Sequence, residues 1–169
     1  VELAEGRRQF DVNLFGLARM TQLVLPGMRA AGRGRIINVS SIGGQMYEPL
    51  GAWYHATKFA VEGLSDSLRI ELKPHGIDVS IIEPSGTASE WGAISGDSLL
   101  ATSGRGPYMD QAKVVAAALA STVNSSMSTP PDVIADAIVH AATSPKPKTR
   151  YPVGKGARAI LLLRRLLPD

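Results

Sequence analysis

The sequence predicts an α/β fold in which long helices alternate with short parallel strands. Three observations carry this. Two runs, Arg35–Ser40 and Ile77–Ile82, are β-branched and nearly all apolar at their centres, as strands buried on both faces are. Before and between them lie long stretches with apolar residues at three- and four-residue steps, the helical period. The connecting segments are a few residues long, which suits crossover helices and a parallel sheet.

Each element has its own signal. Residues 3 to 25 read as the first helix, with Phe10, Leu14, Leu17, Thr21 and Val24 along one side. Pro26 disfavours helical geometry at Leu25 and marks a kink or restart. Ser41 to Gly51, which holds Gly43, Gly44 and Pro49, reads as a loop at the C-terminal end of the first strand. Trp53 to Lys73 is the second long helix, with Leu64, Leu68 and Leu72 on one face and Gly76 as its stop. Residues 85–131 are rich in Ser, Gly, Ala and Thr. They read as a long mobile segment with a helix at Tyr108 to Thr122, whose length fits either a ligand-covering loop with Trp91 as a wall or an ordinary surface excursion. Pro131 to Ala142 reads as a helix opened by its proline, Arg150 to Val153 as a third strand, and Ala157 to Leu167 as a final amphipathic helix.

Composition narrows the function classes. At 169 residues, 44% hydrophobic and 20% charged, the chain is a soluble globular domain with enough length for a core. A net charge of +3 without a block of like charges, and 5% aromatics, argue against nucleic acid as a partner. Absence of cysteine excludes disulfides, thiolate catalysis and Cys-based zinc sites. His55, His75 and His140 are too scattered for a histidine metal site. No apolar run is long enough for a membrane helix, and the polar, charged front end does not read as a secretory signal. A cytoplasmic location is the expectation.

The residues that suggest chemistry are Ser41, Tyr54 and Lys58. Tyr54 and Lys58 stand four apart on one helix and share a face. Ser41 follows a buried strand, at the sheet edge where open α/β folds bind ligands. A phenol is a poor base at neutral pH, and a nearby ammonium lowers its pKa. The Tyr54–Lys58 pair therefore reads as a tuned acid/base couple that Ser41 faces with a hydroxyl. Asn13 is a polar side chain inside the apolar first helix.

The segments Phe10-Asp-Val-Asn-Leu-Phe-Gly16, Gly34-Arg-Ile-Ile-Asn-Val-Ser-Ser-Ile-Gly-Gly44, Tyr54-His-Ala-Thr-Lys58 and Glu83-Pro-Ser-Gly86 resemble, in order and spacing, the C-terminal two-thirds of a short-chain dehydrogenase/reductase. The resemblance covers nearly the whole first half of the chain. It implies a partial Rossmann-like, doubly wound parallel sheet that lacks the N-terminal βαβ unit with the cofactor fingerprint. On that reading residues 1–169 are the C-terminal part of one domain, with 85–131 the substrate-loop region and 132–169 the C-terminal helices and last strand. The resemblance also implies a catalytic set of Asn13, Ser41, Tyr54 and Lys58. Tyr54 would exchange the proton at the reacting oxygen. Lys58 would lower the Tyr54 pKa and bind the nicotinamide ribose. Ser41 would orient the substrate oxygen, and Asn13 would hold a water linking Lys58 to solvent.

Cofactor contacts implied by the resemblance are Tyr54, Lys58, Pro84, Gly86, Thr87 and Ser89, with NAD or NADP as cofactor. Ser85 stands where glycine is usual, so a Cβ there is expected to weaken cofactor binding if the backbone needs φ > 0 or a close approach. The C-terminal Thr149-Arg-Tyr-Pro-Val-Gly-Lys-Gly156 and the Leu/Arg-rich helix after it are similar to members near retinol and 17β-hydroxysteroid dehydrogenases, which implies a lipophilic alcohol or ketone substrate. Pairing of copies through the two long helices is the matching partner expectation.

The glycine-rich turn of the cofactor fingerprint is not in this chain. Gly154-Lys-Gly156-Ala-Arg-Ala159 fits its spacing but reads as the turn into the last helix. Without a neighbour, the first strand is expected to expose an edge and leave the isolated chain marginally stable. Two other readings stand beside the enzyme: a truncated, non-catalytic interaction module, and a peripheral membrane contact through the basic, apolar last helix.

Overall fold

The structure is a computed structural model that describes residues 2–122, 125–126 and 128–167. Its centre is a parallel sheet of β1 (Gly34–Val39), β2 (Ile77–Pro84) and β3 (Arg150–Val153), in the order β1-β2-β3. The register runs from Gly34 opposite Ile77 to Val39 opposite Ile82, and from Ile81 opposite Arg150 to Pro84 opposite Val153. This is the predicted α/β architecture, with each strand at its predicted place.

Neighbouring residues on a strand face opposite ways, and β1 uses this to build two cores. Ile36 packs with Leu25, Leu72, Ile77 and Val79 on one face of the sheet. Ile37 packs with Ile82, Ile134 and Tyr151 on the other. The first core is closed by α2 (Leu17–Ala31) and α3 (Ala52–Leu72), the second by α6 (Pro131–Thr143). Helices thus cover both faces, and the central strand β2 is buried along nearly its whole length.

The first helical run differs from its prediction in two ways. It comprises α1 (Leu3–Phe10), a π-helical turn (Asp11–Gly16) and α2, which continues through Pro26 to Ala31 without a restart. A proline inside a helix costs about 3 kcal/mol. Leu25 just before it is buried, and Met28 just after it packs on the same core, so tertiary packing overrides the local preference.

Residues 85–131 are the larger correction. They hold two helices, α4 (Trp91–Ser103) and α5 (Met109–Ser121), where a mobile segment with a single helix is the sequence expectation. Serines and glycines hide α4 from a propensity reading. Those small residues are its packing surface: a Cβ on Gly92 would collide with the Leu119 carbonyl, and one on Gly96 would lie 3.2 Å from the Ala116 carbonyl. At the base of the pair, Ala88 N–H donates to the Thr129 carbonyl (2.9 Å) and Thr129 N–H to that of Gly86 (3.0 Å). The last element is α7 (Ala157–Leu166). No helix among the described residues is long and apolar enough to cross a membrane.

Candidate active site

Three elements meet at the C-terminal ends of β1 and β2. A 3-10 turn (Ile42–Gly44) follows β1, with Ser41 as its N-cap. The Ser41 Oγ accepts from Gly43 N–H (3.0 Å) and donates to the Pro84 carbonyl at 3.5 Å. The turn lies flat on α3 because Gly43 and Gly44 present no side chains. A Cβ on Gly43 would meet the rings of His55 at 3.1 Å and Tyr54 at 3.3 Å; one on Gly44 would sit 2.7 Å from Ser40 Oγ.

Helix α3 brings Tyr54 and Lys58 to this edge. The Tyr54 ring lies against the turn that Ser41 caps, and burial pushes its pKa above the usual phenol value, with Ser41 pulling it down and Glu48 adding to the rise. Lys58 Nζ donates to the Val39 carbonyl (3.1 Å) and stands 5.9 Å from the centre of the Tyr54 ring. Burial pushes the Lys58 pKa down, partly offset by Glu62. The expected lowering of the Tyr54 pKa by Lys58 is not among the causes of this shift. Desolvation of the phenol dominates, and the ammonium is held by a backbone carbonyl.

Asn13 lies within the π-helical turn, an irregularity often found at functional sites. Its Nδ2 donates to Thr57 Oγ1 (3.1 Å), which itself donates to the Tyr54 carbonyl (2.7 Å). Asn13 is thus tied to the Tyr54 turn of α3 through the fully buried Thr57.

The bend after β2 carries the expected cofactor contacts. Pro84 ends the strand, Gly86 and Ser89 are exposed, and Thr87 Oγ1 donates to the Ser85 carbonyl (3.0 Å). Ser85 is buried and donates to the Lys155 carbonyl (3.1 Å). Leu50 is the sole non-glycine with positive φ among the described residues, so the expected backbone strain at Ser85 does not arise. Its hydroxyl binds the bend to the turn between β3 and α7, where Gly154 and Gly156 both have positive φ. That turn reads as expected, as the lead into the last helix.

Several residues here have roles the sequence reading left out. His55 is buried; its Nδ1 faces the Gly43 carbonyl (2.9 Å) and its Nε2 accepts from Glu48 N–H (3.0 Å). It clamps both ends of the Ser41 loop and has no nitrogen left for a substrate. Trp91, expected as a wall, lies 5.3 Å from the Tyr54 ring centre and is 51% exposed. Arg164 of α7 lies over the Tyr47 ring at 5.4 Å, which seats the last helix on this loop. Beneath the site, Glu62, Asp66, Glu83, Arg150 and Gln45 form a polar cluster. Its signal was visible: Glu83 is a charge at the buried C-terminal end of β2, and Glu62 follows Lys58 by one helical turn.

Residues 1–97 match the family model for short chain dehydrogenases. The chain belongs to the short-chain dehydrogenase family. It is 38% identical over 170 residues to the uncharacterized oxidoreductase YusZ of Bacillus subtilis, covering 99% of this chain and 60% of that protein. Among solved structures it is similar to a short-chain dehydrogenase from Streptomyces avermitilis, with TM-score 0.75 and 30% identity over 96% of this chain and 57% of the other. A closed form of serine dehydrogenase complexed with NADP+ matches with TM-score 0.66 and 25% identity, over 89% of this chain and 56% of the other. The chain thus spans about three-fifths of the length of these relatives.

Proposed function

We propose that this chain is the catalytic part of a nicotinamide-dependent oxidoreductase that interconverts an alcohol and a ketone. The observation that carries this reading is the convergence of Ser41, at the C-terminal end of β1, with Tyr54 and Lys58 of α3, where burial of Tyr54 raises its pKa. A phenol that keeps its proton at neutral pH suits donation to a carbonyl oxygen as that oxygen gains negative charge. Ser41 fixes the same oxygen from the opposite side. Lys58 supplies a positive charge at the C-terminal edge of β1, and Asn13 sets the height of the Tyr54 turn through Thr57.

The bend at Gly86, Thr87 and Ser89 suits the flat edge of a nicotinamide, because Gly86 and Ser89 are exposed and Ser41 joins the bend at the Pro84 carbonyl. Pro84, Gly86, Thr87 and Ser89 would hold that ring, with Lys58 and Tyr54 on its ribose. When bound, NAD or NADP supplies the hydride. The NADP+ in the related serine dehydrogenase supports a dinucleotide but not a choice between the two. Trp91 over Tyr54 supports an apolar substrate wall. Exposed Val12, Phe15 and Phe59 on the long helices support pairing with a second copy.

The test is a nicotinamide absorbance assay on the full-length protein that contains this chain, with NADH and NADPH and a panel of aliphatic and aromatic ketones. Cofactor oxidation that depends on a ketone is expected. Failure to bind either dinucleotide would overturn the proposal.

A further inference from the structure

Below the site, one guanidinium serves several carboxyl groups. Arg150 of β3 donates from Nη2 to Asp66 (2.7 Å) and to Glu62 Oε2 (3.1 Å), and from Nε to the same Glu62 oxygen (3.2 Å). Its Nε is 3.4 Å from Glu83 Oε1. Asp66 is 39% exposed and also takes Arg69, so water and a second cation serve it. Glu62 and Glu83 are different: they are 6% and 0% exposed. Two buried carboxyls thus face one arginine, and its closer contacts go to Glu62.

Glu83 has one further partner. Gln45, next after the 3-10 turn, donates its amide to Glu83 Oε1. Among the described residues Glu83 Oε2, Glu62 Oε1 and Ser40 Oγ are buried without a hydrogen-bond partner. Ser40 and Glu62 adjoin one another: a Cβ on Gly44 would lie 2.7 Å from Ser40 Oγ and 3.0 Å from Glu62 Cγ. The charged groups around Glu83 are Glu62 and Asp66 from α3 and Arg150 from β3, while Gln45 and Ser40 are neutral. Lys58 feels Glu62 but is held at the Val39 carbonyl.

A buried carboxylate that must share its one cation with a second carboxylate is costly and takes up a proton more readily. Because Glu83 Oε1 already accepts from Gln45, the proton belongs on Oε2. Glu62 Oε1 and Ser40 Oγ are the unpaired acceptors in the same cluster.

We propose that Glu83 is a positioning residue for the reaction centre, a buried carboxyl group that keeps its proton in the folded protein and, through Gln45, fixes the Ser41 loop against the helix that carries Tyr54 and Lys58. The inference rests on the functional reading above for its effect on rate, but its protonation claim does not. Burial and the Glu62 charge push the Glu83 pKa up to about 7, in keeping with the geometry. Glu83 also directly precedes Pro84, so its placement bears on the bend that would hold the nicotinamide.

The test uses Glu83→Gln, Glu83→Ala and Gln45→Leu in the full-length protein. Infrared difference spectra of wild type minus Glu83→Gln should show a carboxylic-acid stretch below about pH 7 that fades above it. Glu83→Ala and Gln45→Leu should lower kcat by about 10²-fold, the scale of a misplaced catalytic group, with cofactor affinity retained. Glu83→Gln, the neutral isostere, should restore most of that rate and flatten the pH profile near 7. If Glu83→Ala does not fold, Gln45→Leu and the spectra still decide. A carboxylate band at every pH in the folded range, or Glu83→Gln as slow as Glu83→Ala, would overturn the proposal. If the protein proves to have no dehydrogenase activity, the infrared result still stands or falls on its own.

Discussion

His55 offers a prediction that can be worked from the structure. Replacing it with leucine keeps an apolar side chain of similar bulk next to Tyr54 and removes both ring nitrogens. The Gly43 carbonyl loses its 2.9 Å partner and the Glu48 N–H its 3.0 Å partner. A buried polar group left unpaired costs about 1–3 kcal/mol. Gly43 is buried and pays in full, whereas Glu48 is exposed and recovers part of its bond from water. The sum is about 2–4 kcal/mol. Urea denaturation of the full-length protein reads it as a drop in midpoint at constant slope. The loosened loop carries Ser41, so kcat should fall as well. His75→Leu is the control: His75 is exposed, and a change within about 0.5 kcal/mol is expected there. If His55→Leu shifts stability no more than that control and leaves kcat unchanged, the clamp does not exist.

Other outcomes follow from the same geometry. Gly92→Ala places a methyl group against the Leu119 carbonyl; parting α4 from α5 should cost about 1–3 kcal/mol and shift the fluorescence of Trp91, visible in a thermal melt followed by emission. Glu83 has a folded pKa raised from 4.5 to about 7, so its contribution to stability is fully present below pH 4.5 and is lost as pH rises to about 7, then stays constant. Over that window wild type should lose about 3 kcal/mol relative to Glu83→Gln, which denaturation midpoints at several pH values would show. Ser85→Gly removes the bond to the Lys155 carbonyl and should cost about 1 kcal/mol without tightening dinucleotide binding; a tenfold gain in affinity would revive the idea that its Cβ hinders the cofactor.

The strands and long helices were legible because burial writes a period into the sequence. Ile36 and Ile37 alternate between two cores, and Leu68 and Leu72 fall on one face of α3. Tyr54, Lys58 and Ser41 were legible because helical spacing and a strand end suffice to bring them together. What escaped depends on contacts distant in sequence. The course of α2 through Pro26 is decided by packing of Leu25 and Met28 on β1 and β2. Helix α4 lacks a favourable propensity and exists through close approach to α5. The rise in the Tyr54 pKa comes from burial, which a Tyr–Lys spacing cannot report. The clamp at His55 needs the Ser41 loop to fold back on α3, and neighbouring sequence does not specify that.

The central claim is that Tyr54 passes a proton to the reacting oxygen at a site that binds its dinucleotide independently. Tyr54→Phe in the full-length protein tests it most directly. Single-turnover ketone reduction and a fluorescence titration with reduced nicotinamide cofactor would be measured on the same preparation. A loss of about 10²–10⁴-fold in rate, with the cofactor Kd largely kept because Lys58, Pro84, Gly86, Thr87 and Ser89 remain, is the predicted result. Turnover retained within a few-fold would contradict the assignment of Tyr54 as the proton donor.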